Sequence, residues 1–456
     1  AADVKGDLSG IAVAGNPPPA WAQARAQEIG ATITPEAQPV VFWDVYGELG
    51  NPVRTTVMEM GPTLMARILD ATEAQEGALT IAFKLADDRY NAGATEEEKA
   101  AGLLLNLADL RALLTELAGN EELGKKYGLV TPQTVSVMQR RILQLEMDGA
   151  QRFFGEPALK LDDLMRPRPD GKGTVNVLAA ERLVQSPRLY SAFLLWLMSE
   201  LWEKLPEVGD PDRPKLVFFF DEAHLLFRDA EKELIQKVEQ VVRLIRSKGV
   251  GIYFVTQSPT DVPDLVLSQL GNRIQHALRA YTPSDQKAVR AAAASFRANP
   301  NVDVAKEIQE LAVGEALVST LDEKGAPTPV ARTKVRPPNS QVGPLQLATR
   351  QQMMSTCDLA AIYKDPIDRV SAFESFNARS ADADAQEAEA APAPAPKPRA
   401  RAKTAAPCKT GAAAAASSRS RTSAQPSVPA AERRGAPWRA GKASKVSEAA
   451  AASGGA

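Results

Sequence analysis

The chain has 456 residues, 44% of them hydrophobic and 24% charged, with a net charge of −2. That is enough apolar material for one large or two modest packed cores, and it excludes a fibrous or wholly disordered chain. Two cysteines and two histidines exclude a disulfide framework and argue against a zinc site, which suits a reducing cytoplasm. The near-neutral balance hides an asymmetry. Residues 391–456 carry twelve Lys/Arg against two Asp/Glu, which leaves 42 basic and 54 acidic side chains in the rest.

In chain order, residues 1–58 read as strand material, clearest at residues 39–46 (PVVFWDVY). Residues 59–172 are mainly helical, with short loops expected at 91–96 and 119–128. Residues 173–376 alternate strands with helices, the pattern of a parallel sheet. Within them, the apolar stretch from Leu189 to Trp202 is broken by Ser191, Ser199 and Glu200 and reads as a buried helix. No apolar run approaches the roughly 20 residues of a membrane span, and there is no signal-peptide pattern. Residues 377–456 are rich in Ala, Pro and Ser and are expected to be a disordered, basic tail.

The most informative segment is LVFFFDEAH, residues 216–224. Five apolar residues in a row suit a strand buried on both faces of a helix-covered sheet. Asp221 and Glu222 then emerge at the C-terminal end, where open α/β sheets bind ligands. In a nucleotide-hydrolysing site the first carboxylate would help hold Mg²⁺, and the second would orient or deprotonate the attacking water. His224 follows directly, within reach of a phosphate or a partner subunit.

A periodic helix comes next, with Leu234, Ile235, Val238, Val241, Val242 and Ile245 on one face. Gly249 and Gly251 end it. A second apolar strand then exits through Thr256 and Gln257, completing a βαβ crossover. The amide of Gln257 is expected to face Asp221 and Glu222 across neighbouring strand ends, where it would touch both a γ-phosphate and the water. Further on, Arg273 to Leu278 alternates like a strand that includes His276, a structural position. GEALVSTL (314–321) and PVARTKV (329–335) read as a closing hairpin turned at Asp322, Glu323, Lys324 and Gly325.

These residues resemble the HerA-like branch of the HerA/FtsK family of ring-shaped, DNA-translocating P-loop ATPases, most closely its bacterial YjgR-type members. The resemblance runs through ADVKGDLSG (2–10), LLWLMSELWEKLPEVGD from Leu194, LVFFFDEAHLLF and the VTQ strand. It continues in GNRIQHALRAYTPSDQKAV from Gly271, GEALVSTL and RPPNSQVGPL from Arg336. It implies a RecA-like parallel sheet of the P-loop NTPase type, with residues 1–58 and 173–376 in the ATPase core and 59–172 as a helical insertion. It also implies ATP and Mg²⁺ as ligands, a homo-hexameric ring around double-stranded DNA, and by family analogy a nuclease partner. Arg273 or Arg279 would reach a neighbouring subunit's γ-phosphate. Asp7, in the segment that closes the family's second strand, would assist the water or cap a turn.

One departure stands out. The chain contains no G-x-x-x-x-G-K-[ST], the loop whose amides cradle phosphate while Lys neutralises it and Ser/Thr ligates Mg²⁺. The nearest match, residues 119–126 (GNEELGKK), ends in Lys where a hydroxyl is needed and follows a helical pattern. In the family ADVKGDLSG lies downstream of that loop, so the sequence reads as a P-loop-less, N-terminally incomplete ATPase core. Three functions remain open: an ATPase motor on DNA, a non-catalytic fragment, and a DNA- or partner-binding protein that uses its basic tail.

Overall fold

The computed structural model describes residues 1–209, 211–227 and 232–390. Six strands form one parallel sheet: β1 (Ala2–Asp3), β2 (Val40–Asp44), β3 (Asn51–Pro52), β4 (Val175–Ala179), β5 (Leu216–Phe220) and β6 (Val250–Phe254). Their order is β3-β2-β4-β1-β5-β6. β5 and β6 pair in register from Leu216 opposite Val250 to Phe220 opposite Phe254. Because every strand runs the same way, all exits lie at one end of the sheet, where Asp3, Asp44, Asp221 and Glu222 follow or end their strands. The α/β class and parallel sheet expected from the sequence are therefore present.

Helices pack on β5 and β6 from one side. The Pro187–Lys204 helix starts with proline in its first turn and buries Phe193, Leu194, Trp196, Leu197 and Leu201. The Lys232–Leu244 helix joins β5 to β6 and buries Val238 and Val241, with Ile245 just beyond it. Ile235 and Val242 are half-buried, and the side chain of Leu234 lies outside the described residues. Gly249, at φ 71°, turns the chain back into β6. Leu216, Phe218, Phe220, Ile252 and Phe254 join the same core.

The opposite face corrects the expectation of a strand buried on both sides. Phe219 and Tyr253 stack at 4.7 Å between ring centroids yet are 43% and 48% exposed. Val217 and Gly251 on the same face are half-buried, so this face of β5 and β6 is partly open among the described residues, and no described strand pairs with the outer edge of β6. β2 and β4 differ. Trp43 and Leu178 enter the main core on one side, while Phe42 and Val177 meet Leu345, Met353 and Met354 on the other.

Residues between β3 and β4 are largely helical. The helices Val57–Ile68, Glu73–Ala92 and Leu107–Gly119 each begin with a capping box, at Thr56, Thr72 and Asn106. The stretch 119–128, expected as a loop, holds the helix Glu121–Tyr127. Asn120 caps it by accepting from the amides of Glu122 and Leu123. GNEELGKK thus straddles two helices, which is no setting for a phosphate loop.

Downstream, β7 (Arg273–Gln275), β8 (Glu315–Ser319) and β9 (Ala331–Lys334) form a separate antiparallel sheet in that order. β8 and β9 are the expected hairpin, and the Asp322 carbonyl accepts the Gly325 amide in the connecting loop. β7 is shorter than the alternation from Arg273 to Leu278 implied and belongs to this second sheet, not the parallel one. Residues 377–390, expected as the start of a disordered tail, continue the helix Ala372–Ala390. The basic segment 391–456 lies outside the described residues. No helix among the described residues is long and apolar enough to cross a membrane.

Candidate functional site

Glu222 leaves β5 in the left-handed region, at φ 49°, a conformation uncommon for a side chain with Cβ. Two ladder bonds fix it there: the amide of Val255 donates to the Phe220 carbonyl at 2.9 Å, and that of Ala223 to the Val255 carbonyl at 2.8 Å. The Glu222 carbonyl then accepts from Leu225 and opens the short His224–Phe227 helix. The backbone is thus bent so that the carboxylate, on a residue 6% exposed, turns back over the strand ends.

Two side chains bind that carboxylate. Gln257, past the end of β6, donates its Nε2 to both oxygens at 2.9 and 3.0 Å. Lys5, past the end of β1, places Nζ 2.5 Å from Oε1. Burial pushes the Glu222 carboxyl up, but the Lys5 and Gln257 hydrogen bonds and the Lys5 charge outweigh it and hold the group below the usual carboxylate range. His224 Nδ1 lies 3.3 Å from Oε2, close enough for charge contact but without hydrogen-bond geometry, so this buried nitrogen has no hydrogen-bond partner.

The other expected residues fall into two groups. Asp221 is half-buried and makes no hydrogen bond or ion pair among the described residues. Asp7 is exposed and, with Asp221 and Glu222, contributes negative field at Lys5. Thr256 donates instead to Asp261, which also accepts from the Ser258 amide. It therefore shapes the turn that carries Gln257. The side chain of Arg273, half-buried on β7, makes no hydrogen bond or ion pair among the described residues, whereas Arg279 donates to the Leu311 carbonyl at 3.1 Å. Neither arginine touches the Glu222 cluster. His276 sits against the Glu315 carbonyl at 3.0 Å, in keeping with a structural position.

Sequence reading missed Lys5 and the device that holds it. Asp3 ends β1 almost fully buried and accepts from the amides of Gly6 (2.8 Å) and Leu8 (3.1 Å). Gly6 is at φ 80°, and a Cβ there would lie 2.8 Å from a Glu181 oxygen. Residues 336–345 strap this loop from outside. Leu345 donates to Ser9 Oγ at 2.8 Å and Gln341 to the Val13 carbonyl at 3.1 Å. Gly10 is required because a Cβ would come 2.1 Å from the Gly343 carbonyl oxygen. The available signal was positional: ADVKGDLSG carries a lysine two residues past a strand end.

The donor set fits Mg²⁺ only in part. No cluster of three or more His, Cys, Asp or Glu side chains able to hold a metal occurs among the described residues. Asp221 alone, with free oxygens, suits a cation that keeps its waters and takes its other ligands from phosphate. A cavity of about 410 Å³ lies elsewhere, between the sheet and the Pro187–Lys204 helix. It is lined by Trp43, Phe193, Leu197 and Phe218 among others, and by none of the expected site residues.

Comparison with known proteins agrees with the sequence resemblance at the level of the HerA-like family. The family described as Helicase HerA-like C-terminal matches residues 1–438. A probable helicase of Methanocaldococcus jannaschii is 28% identical over 156 residues, covering 32% of this chain and 28% of its own length. This chain therefore spans less than a third of that relative. Among solved structures, the plasmid coupling protein TrwB in complex with ADP and Mg²⁺ is 15% identical over 68% of this chain and 76% of its own, with a TM-score of 0.42. The genome packaging NTPase of Sulfolobus turreted icosahedral virus 2 is 16% identical over 40% of this chain and 74% of its own, with a TM-score of 0.24.

Proposed function

Given that this chain belongs to the HerA-like helicase C-terminal family, we propose that it supplies the carboxylate half of a Mg-nucleotide site in an ATP-driven motor acting on duplex DNA. The observation that carries this reading is the convergence of Lys5 and Gln257 on a buried, backbone-strained Glu222 beside an unpartnered Asp221, at the C-terminal ends of β5 and β6. Asp221 would hold a water of hydrated Mg²⁺, whose charge stabilises the phosphate oxygens. Glu222 would orient the attacking water and accept its proton, with Gln257 aligning both.

The chain does not itself provide the phosphate cradle, because no G-x-x-x-x-G-K-[ST] occurs in it. The free edge of β6 and the partly open face around Phe219 and Tyr253 support a complementary strand–loop–helix unit. A parallel strand on that edge would end beside Gln257, and the helix after it would cover the stacked rings. Assembly would be a hexameric ring in the cytoplasm. Arg273 is the better candidate to complete a neighbour's site, since Arg279 already serves the Leu311 carbonyl. A nuclease partner is part of the same reading.

The test is hydrolysis with and without the missing loop. Losing several charge-assisted hydrogen bonds to phosphate, each about 1.5–3 kcal/mol, should leave residues 1–456 binding ATP weakly with turnover at background. Fusing a strand, a G-x-x-x-x-G-K-[ST] loop and a helix ahead of Ala1 should create Mg-dependent hydrolysis that Glu222→Gln removes. Robust hydrolysis by the chain alone, or none from the fusion, would overturn the reading in favour of a non-catalytic fragment or a tail-driven binding protein.

A further inference from the structure

Resting on the Mg-nucleotide reading and deepening it, the geometry points to Lys5 as a phosphate-responsive cation that exchanges between Glu222 and the terminal phosphate of a nucleoside triphosphate. A carboxylate offers about four lone-pair sites. Gln257 takes one on each oxygen, Lys5 takes another on Oε1, and His224 Nδ1 stands against Oε2. Three of about four sites are thus filled and His224 crowds the fourth without bonding to it, so a water gains a well-placed site on Glu222 when a donor withdraws.

The structure singles out which donor moves. Gln257 follows a strand in register with β5 and grips both oxygens. His224 is two residues along the same chain, with its side chain only 21% exposed. The Lys5 side chain is 57% exposed, against 7% for the Glu222 side chain it binds. Its long stem carries the charge, while its loop is pinned by Asp3 from within and by residues 336–345 from outside. The ammonium can therefore swing while the backbone stays in place.

Charge balance couples that movement to the ligand. Taking Lys5 away would leave Glu222 as a buried anion beside Asp221 without a cation, which is costly. A Mg-triphosphate brings a cation for the carboxylates and an anion for Lys5 in one step. A diphosphate ends short of the exchange position and leaves Lys5 on Glu222. Lys5 would thus both sense the terminal phosphate and free Glu222 to take up the water.

The test is equilibrium binding of MgATP and MgADP to the full 456-residue chain and to its Lys5→Met and Lys5→Arg variants, by calorimetry or ligand-observed NMR. Wild type should prefer MgATP by about tenfold, the scale of one charge-assisted hydrogen bond less the ion pair given up. Lys5→Met should reduce the preference to within about twofold while leaving MgADP affinity unchanged, and Lys5→Arg should restore part of it. If Lys5→Met keeps the preference, or weakens both nucleotides equally, Lys5 is only a surface ion pair and the inference fails while the nucleotide reading stands. If wild type binds neither nucleotide at millimolar concentration, Lys5 makes no measurable triphosphate contact and the inference fails, while the nucleotide reading is decided separately by hydrolysis in the loop-fused chain. Melting curves of both variants, expected within about two degrees of wild type for a largely exposed side chain, guard against misfolding.

Discussion

Asp44 and Glu222 occupy equivalent places, each a buried carboxylate where a strand of one parallel sheet ends, yet they are engaged in opposite ways. Asp44 accepts three backbone amides, from Tyr46 at 2.9 Å and from Glu48 and Leu49 at 2.8 Å. Among the described residues Glu222 accepts no backbone amide and is held by side chains, Lys5 and Gln257 through hydrogen bonds and His224 through a charge contact. Asp3 sides with Asp44, since it is bound to the amides of Gly6 and Leu8. Amides fixed in a turn cannot release a carboxylate without unfolding the turn, whereas side chains can rearrange around a ligand. The contrast separates a carboxylate that builds a loop from one that its partners can release, as the role proposed for Glu222 requires.

The surroundings of the two strands follow the same division. β2, which leads to Asp44, is covered on both faces, by the main core and by the layer containing Leu345 and Met353. β5 and β6, which lead to Glu222 and Gln257, leave Phe219 and Tyr253 substantially exposed on one face among the described residues. The more fully covered strands thus lead to the carboxylates bound by backbone amides, and the more open strands to the carboxylate bound by side chains.

The largest expected effect tests Glu222 directly. In a version supplied with the phosphate loop, Glu222→Gln should lower hydrolysis by about 100-fold or more, the usual scale for a lost general base. ATP should still bind, because the amide preserves size. Asp221→Asn should instead weaken Mg-nucleotide binding. A Glu222→Gln rate within about threefold of wild type would remove the functional side of the contrast.

Asp44→Ala addresses the structural side. It leaves three amides without an acceptor, so it should cost about 3 kcal/mol or more, read as a lower midpoint in urea. Asp44→Asn should cost less, since one oxygen remains. Glu222→Ala should cost less than Asp44→Ala, because Lys5 is largely exposed and can return to water. If the two alanine variants were equally destabilised, side-chain and backbone engagement would not differ in the way argued here.

Much of this was legible in the sequence, for reasons that also explain what was not. LVFFF and the VTQ strand read correctly as neighbouring strands because parallel strands leave apolar runs, and pairing in register sets their exits side by side, within reach of the Gln257–Glu222 hydrogen bonds. The partly open face at Phe219 was illegible, because an apolar run states what a strand can bury and not what is present to bury it. Lys5 and Asp3 were missed because β1 is only two residues long, too short for any periodicity. The helix Glu121–Tyr127 was read as a loop because its flanking glycines outweighed the Asn120 cap and the acidic first turn. Alternation from Arg273 identified a strand, but alternation alone does not say which sheet a strand joins.

The smallest effect concerns acidity, and it separates Asp3 from Glu222 by sign. Burial raises the Asp3 carboxyl above its ordinary range. Its contribution to stability is therefore fully present below the unfolded pKa and is lost as pH rises through the folded value. Burial also pushes Glu222 up, but the Lys5 and Gln257 hydrogen bonds leave it net lowered. Its contribution is present above the unfolded pKa and is lost as pH falls through the folded value. Melting temperatures of wild type, Asp3→Asn and Glu222→Gln between about pH 3 and about pH 6 span the ordinary carboxylate range. The advantage of wild type over Asp3→Asn should shrink as pH rises, and its advantage over Glu222→Gln should shrink as pH falls. If both differences tilted the same way, the two strand-end carboxylates would share one electrostatic environment, and Lys5 would not hold Glu222 ionised in solution.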